Sequence, residues 1–228
     1  MSINSLNNMF DLQEKLNIRT NGAEWKSGVA KNGKKINWFR CIYMEAAELN
    51  DSMPWKHWKA VDAEPDWANV YIELVDIAHF LWSEILRTSY EKNINNIYKH
   101  IVLSSYKEIK AIDKNNIEAR ETVIQTVESL INESTKSTPN INKILSLFFD
   151  TCALVDLSFA DLYTKYIGKN VLNKFRQDNG YKEGAYIKNW NDIEDNVVMT
   201  NILNSNVNLS PDELYLELDK KYKILTAA

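Results

Sequence analysis

Two pairs of acids are the strongest chemical signal in the chain. Glu45-Ala46-Ala47-Glu48 and Glu73-Leu74-Val75-Asp76 each place two carboxylates three residues apart. On a helix that spacing puts both on one face, about one turn apart. Their settings are apolar: the first pair lies in CIYMEAAEL, the second in VYIELVDIAHFLW. A bare carboxylate in such a setting is costly unless it is paired or bound to a metal. Like charges at this spacing also repel. An isolated pair of this kind is ordinarily a solvated helix edge, but two pairs on consecutive apolar helices call for a cation. Four carboxylates without nitrogen or sulfur make a hard oxygen site. Such a site suits Mg²⁺, with Mn²⁺ as an alternative, and leaves positions for water and phosphate oxygens. Asp51 continues the Glu45/Glu48 row, as an outer ligand or a helix-end residue.

Asp76-Ile77-Ala78-His79 also has the carboxylate-x-x-His spacing of di-iron bundles. Those sites use two such elements, and here the first pair ends in Glu48. His79 therefore reads as a hydrogen-bonded core residue. The second unusual stretch runs from Lys165 to Lys188. It holds six basic residues (Lys165, Lys169, Lys174, Arg176, Lys182, Lys188) against two acids, a local +4 in a chain of net charge −4. Alone it would be a solvated loop. Beside an acidic metal site it fits a polyphosphate clamp, with arginine binding bidentately and lysines acting as point charges. Trp55 and Trp58, in MPWKHWK, either pack the core or stack on a base.

The elements that must position these residues read as helices. All six glycines fall at 22–33 and 168–184, and residues 34–167 have none. A sheet of that length would need glycine in its tight turns. Helical periodicity predicts a helix over about 5–18 with Met9, Leu12 and Leu16 inward, then a polar loop over about 19–36. A second helix covers about 37–53 and stops before Pro54. A third runs from near Pro65 to about Tyr90, with Val70, Leu74, Ile77, Phe80 and Leu81 as its apolar side. Residues 91–138 read as polar helix. A further helix starts near Pro139 and is apolar almost all round from Ile144 to Leu162. The pattern continues, with a break at Gly168, to a stop at Asn179-Gly180. Ser210-Pro211-Asp212-Glu213 is a capping box that opens the last helix.

Length and composition exclude other classes. The chain has 228 residues, enough for one domain or one domain plus a small lobe, here about 91–140. With 27 basic against 31 acidic residues it lacks the basic excess of a nucleic-acid binder. Cys41 and Cys152 are far apart and have no metal-type spacing, which fits a reducing cytoplasm. No apolar run is long enough to span a membrane, and residues 1–16 lack the apolar stretch of a secretory leader. Gly28 to Lys34 nearly matches a phosphate-binding loop, but Lys35 follows and no apolar strand precedes it.

ExxE followed 24 residues later by ExxD is the signature of the all-α nucleoside triphosphate pyrophosphatases, and within them the chain resembles the dimeric dUTPases. The matching stretches are LQEKLN (12–17), CIYMEAAELNDSMPWKHWK (41–59), VYIELVDIAHF (70–80) and YIGKNVLNKFRQDNGYKEGAYIKNWNDIEDN (166–196). The family pattern has glycine after Trp190-Asn191, where this chain has Asp192. The resemblance implies a single all-α domain over 1–228, a helical bundle without significant sheet. It implies Mg²⁺-dependent hydrolysis of dUTP and dUDP to dUMP by water attacking the β-phosphorus, which keeps uracil out of DNA and supplies dUMP. Glu45, Glu48, Glu73 and Asp76 would be the metal ligands, with Glu45 and Glu48 catalytic and Glu45 the base for water. Lys169, Arg176, Tyr181, Lys182, Lys188 and Asn196 would bind phosphates. Gln13, Asn17, His57 and Trp58 would address uracil, and Asp76 and Phe80 the sugar. A cytoplasmic homodimer with no nucleic-acid or membrane partner is implied as well. The alternatives are a pyrophosphatase for dCTP or mixed nucleotides, a helical interaction module and a di-iron protein.

Overall fold

The computed structural model describes residues 3–60, 62–92, 109–206 and 209–226. Among these the fold is all-α, and the only sheet is a two-residue hairpin pair. The chain divides into two compact units, residues 1–162 and 163–228. No helix among the described residues is long and apolar enough to cross a membrane.

The first unit contains α1 (Ile3–Asn21), a 3₁₀ turn (Trp25–Ser27), α2 (Trp38–Asp51), α3 (Trp67–Lys92), α4 (Ile117–Ser134) and α5 (Ile141–Leu154). Asparagine caps three of them. Asn37, Asn116 and Asn140 each accept a backbone N–H from the first turn of α2, α4 and α5, which satisfies one of the orphan donors there. Helix α3 is the centre: α1, α2 and α5 all pack on it, and α4 bridges α2 and α5. Trp82 of α3 is fully buried. It lies 5.4 Å from Phe10, and 6.4 Å from both Phe148 and Phe149, ring centre to ring centre. Aromatic groups of this size dominate core burial.

Three expectations are corrected. The buried side of α1 is Leu6, Met9, Phe10, Gln13 and Asn17, whereas Leu12 and Leu16 are only half-buried. Two amides lie inward because buried partners on α3 satisfy them. The apolar run from Ile144 to Leu162 is not one helix. It breaks after Leu154, where Asp156 takes a left-handed φ of 59°. Leu157 N–H reaches back to the Cys152 carbonyl at 2.8 Å, a Schellman closure. Finally, Gly168 causes no break. Helix α6 (Phe159–Asp178) runs through it, and the glycine serves packing, since a Cβ there would lie 2.6 Å from Leu203 Cδ1. Of the polar helix expected over 91–138, residues 117–134 are helical and 109–116 are not, while 93–108 lie outside the described residues.

The second unit holds most of α6, the hairpin β1 (Asn189–Trp190) and β2 (Ile193–Glu194), α7 (Asp195–Ser205) and α8 (Pro211–Leu225). Its core gathers Leu172, Phe175, Trp190, Met199 and Leu218. Helix α6 ends as expected, with Gly180 at φ 81° and Tyr181 N–H on the Arg176 carbonyl at 3.0 Å. The capping box at Ser210 and Glu213 is formed. Asn191 and Asp192 have φ of 51° and 63°, so the hairpin turn keeps a left-handed pair although Asp192 stands where the family pattern has glycine. Asparagine and aspartate tolerate this region better than other non-glycine residues.

Candidate active site

The acids of α2 and α3 face one another. Glu45, Glu73 and Asp76 each offer a carboxylate oxygen within 4.8 Å of the others. Glu48, exposed at the next turn of α2, is not in that group. Glu73 is buried, at 5% exposure. Burial, a hydrogen bond with Glu45, and the charges of Asp76, Glu45 and Glu48 push its carboxyl up to about 8. Crowded carboxylates whose anionic forms are mutually unfavourable fit a divalent cation, which would relieve the repulsion. The group contains oxygen ligands only, as Mg²⁺ requires. His79 is not a member of it, so the di-iron spacing of Asp76 and His79 does not assemble a mixed site.

One further residue grips the buried acid. Asn69, one turn before Glu73, donates its side-chain amide to Glu73 Oε1 at 3.0 Å and to Ser52 Oγ at 2.8 Å. A cleft of about 490 Å³ opens here, lined by Glu48, Asp51, Ser52, Lys56, Lys59 and Asn69 among others. Lys56 is engaged with Asp51, 2.5 Å away.

The residues assigned to the base and sugar fall into two environments. Gln13 and Asn17 are buried and tied to α3. Gln13 Nε2 donates to Ser83 Oγ at 2.9 Å and to Asn17 Oδ1 at 3.3 Å, and Asn17 Nδ2 donates to Ser83 Oγ at 2.9 Å. Gln13 Oε1 then faces His79 Nδ1 at 2.7 Å. An acceptor there requires the ring proton on Nδ1. Phe80 is half-buried and stacks on Trp38 at 5.9 Å, with Trp25 edge-on to Trp38 at 6.0 Å. His57 and Trp58 are exposed, Trp58 at 62%, and sit edge to face 4.9 Å apart. Trp55 is also exposed, so these tryptophans are not core.

In the second unit, the residues assigned to phosphate form a polar cluster with two acids the sequence did not single out. Arg176 holds Asp195 bidentately, Nε to Oδ2 at 2.8 Å and Nη2 to Oδ1 at 2.7 Å. Tyr186 donates to the same carboxylate at 2.8 Å. Lys169 Nζ donates to Asn196 Oδ1 at 2.9 Å, and Lys188 pairs with Glu194 at 2.7 Å. Glu194 raises the Lys188 ammonium above its ordinary value. Arg176 and Lys188 thus each face a carboxylate, and Lys169 faces an amide oxygen. Tyr181 is half-open to solvent beneath the Arg176 guanidinium, and Lys182 is exposed.

Asn69 and Ser52 went unread in the sequence, although an amide one turn before an acid on an apolar helix is a usable signal. Ser83, one turn after His79, has the same kind of signal. Asp195 has none, because its burial depends on a fork from a residue 19 positions away.

No curated protein matches the chain. A family model described as dUTPase matches residues 5–181, a span that includes all four acids of α2 and α3 together with Lys169, Arg176 and Tyr181. The chain therefore belongs to the all-α dUTPase family, enzymes that hydrolyse dUTP to dUMP.

Proposed function

We propose that the chain hydrolyses dUTP, and dUDP as well, in a Mg²⁺-dependent reaction at the α2–α3 acids. The observation that supports this most is the convergence of Glu45, Glu73 and Asp76 around a carboxyl already destabilised as an anion. Glu45, Glu73 and Asp76 hold the metal in this reading, with Glu48 joining from the rim. The ion supplies positive charge that offsets the phosphate oxygens. Glu45 orients the attacking water and takes its proton. Attack on the β-phosphorus breaks its bond to the α–β bridging oxygen, so dUMP leaves with that oxygen and the water oxygen ends in pyrophosphate. A diphosphate has the same bond, which is why dUDP serves too.

Lys169, Arg176, Tyr181, Lys182, Lys188 and Asn196 bind the phosphates in this reading. Gln13 and Asn17, an amide pair set by Ser83 and His79, address uracil together with His57 and the neighbouring Trp58. Asp76 and Phe80 address the deoxyribose. The family resemblance supports a homodimer. Two free cysteines, with the Cys152 thiol raised by burial, fit a reducing cytoplasm. The test is a panel of dUTP, dUDP, dCTP and dTTP with and without Mg²⁺ in ¹⁸O-labelled water. The expected result is cleavage of dUTP and dUDP alone, only with Mg²⁺, with label in the pyrophosphate from dUTP and the phosphate from dUDP rather than in dUMP. Equal dCTP cleavage, Mg²⁺-independent turnover or label in dUMP would each overturn the corresponding part.

A further inference from the structure

We propose that Asn69 is a positioning residue for the acidic centre, fixing Glu73 of α3 against the end of α2 through Ser52. The inference rests on the reading of Glu73 as a metal ligand. The direction of each bond is set. Ser52 Oγ donates to the Glu48 carbonyl at 3.0 Å, so toward Asn69 it is an acceptor. Asn69 Nδ2 carries two protons, and one goes to Ser52 Oγ at 2.8 Å while the other goes to Glu73 Oε1 at 3.0 Å. Backbone bonds fasten the same corner. Asp66 N–H reaches the Ser52 carbonyl at 2.9 Å, and Asn69 N–H reaches Asp66 Oδ1 at 3.0 Å. The last residue leaving α2 is thereby tied at two points to the first turn of α3. The acidic rows on the two helices hold one register.

The amide suits this place chemically. A lysine at position 69 would neutralise Glu73 and compete with a metal ion. An aspartate would add another anion beside it. A neutral donor orients the carboxylate and leaves its charge for the cation.

The test is Mn²⁺ titration, by calorimetry and by loss of the free-ion electron paramagnetic resonance signal, on wild type, Asn69→Ala, Ser52→Ala, Ser52→Thr and the Ser52→Ala/Asn69→Ala double variant. Asn69→Ala is expected to weaken Mn²⁺ binding about tenfold, the scale of one hydrogen bond to a charged group. It should lower kcat while moving KM for dUTP less than about twofold. Ser52→Ala loses less, Ser52→Thr retains wild-type affinity because the hydroxyl is kept, and the double variant matches Asn69→Ala because both act through one chain. Wild-type Mn²⁺ affinity in Asn69→Ala, or losses that multiply in the double variant, overturns the inference alone. No Mn²⁺ binding by wild type overturns the metal reading and this inference together. Should Asn69→Ala fail to fold, the comparison of Ser52→Ala with Ser52→Thr decides: equal affinities overturn the proposal.

Discussion

At the scale of single residues, the two charged clusters solve opposite problems. On α2 and α3, anions crowd anions and the imbalance asks for a cation. In the second unit, Arg176 is already matched by Asp195, which is fully buried. Removing one partner of a buried pair strands the other, at a cost of about 3–5 kcal/mol. Arg176→Ala is therefore expected to destabilise the protein on that scale in a urea titration, besides any effect on nucleotide binding. Lys182→Ala, at an exposed position, should leave stability unchanged and raise KM for dUTP. Equal stability of both variants would show that the Arg176–Asp195 fork contributes little to the fold. The acidic pairs were legible because their types and spacing are local. The fork was not, because Asp195 looks like any acid in IEDN until the fold brings Arg176 to it.

At the scale of elements, most helix boundaries were legible where a local cap or stop is written in the chain. Ser210 with Glu213 and Asn179-Gly180 are such cases. The break at 155–158 was not, because neither glycine nor proline marks it. Asp156 there holds a φ of 59°, which glycine adopts without strain. Asp156→Gly is expected to stabilise the protein by up to about 1 kcal/mol, and Asp156→Val to destabilise it by about 1–2 kcal/mol, since a β-branched residue resists this conformation. Chemical denaturation checks both, and a destabilised Asp156→Gly would contradict the assigned geometry. The facing of α1 was misread for a related reason. Periodicity counts apolar residues, and it cannot see that Ser83 and His79 make Gln13 and Asn17 comfortable inside.

At the scale of the whole molecule, a metal ion held at the acidic centre would couple binding to stability. In the folded protein the Glu73 carboxyl is pushed from its ordinary 4.5 up to about 8. Between those values the folded state holds a proton that the unfolded chain has lost, so stability falls as pH rises through that window. Burial makes it so first, then the hydrogen bond with Glu45 and the charges of Asp76, Glu45 and Glu48. A divalent ion bound only by the folded form opposes the loss.

The most direct measurement is the melting temperature with and without Mg²⁺, from pH 5 to pH 9, for wild type and Glu73→Gln. Metal-free wild type is expected to lose stability toward pH 8 more steeply than Glu73→Gln does. Mg²⁺ is expected to restore wild type most strongly at the alkaline end and to raise the variant far less. An unchanged melting temperature on adding Mg²⁺ to wild type, or an equal rise in both proteins, would contradict a metal ion held through Glu73.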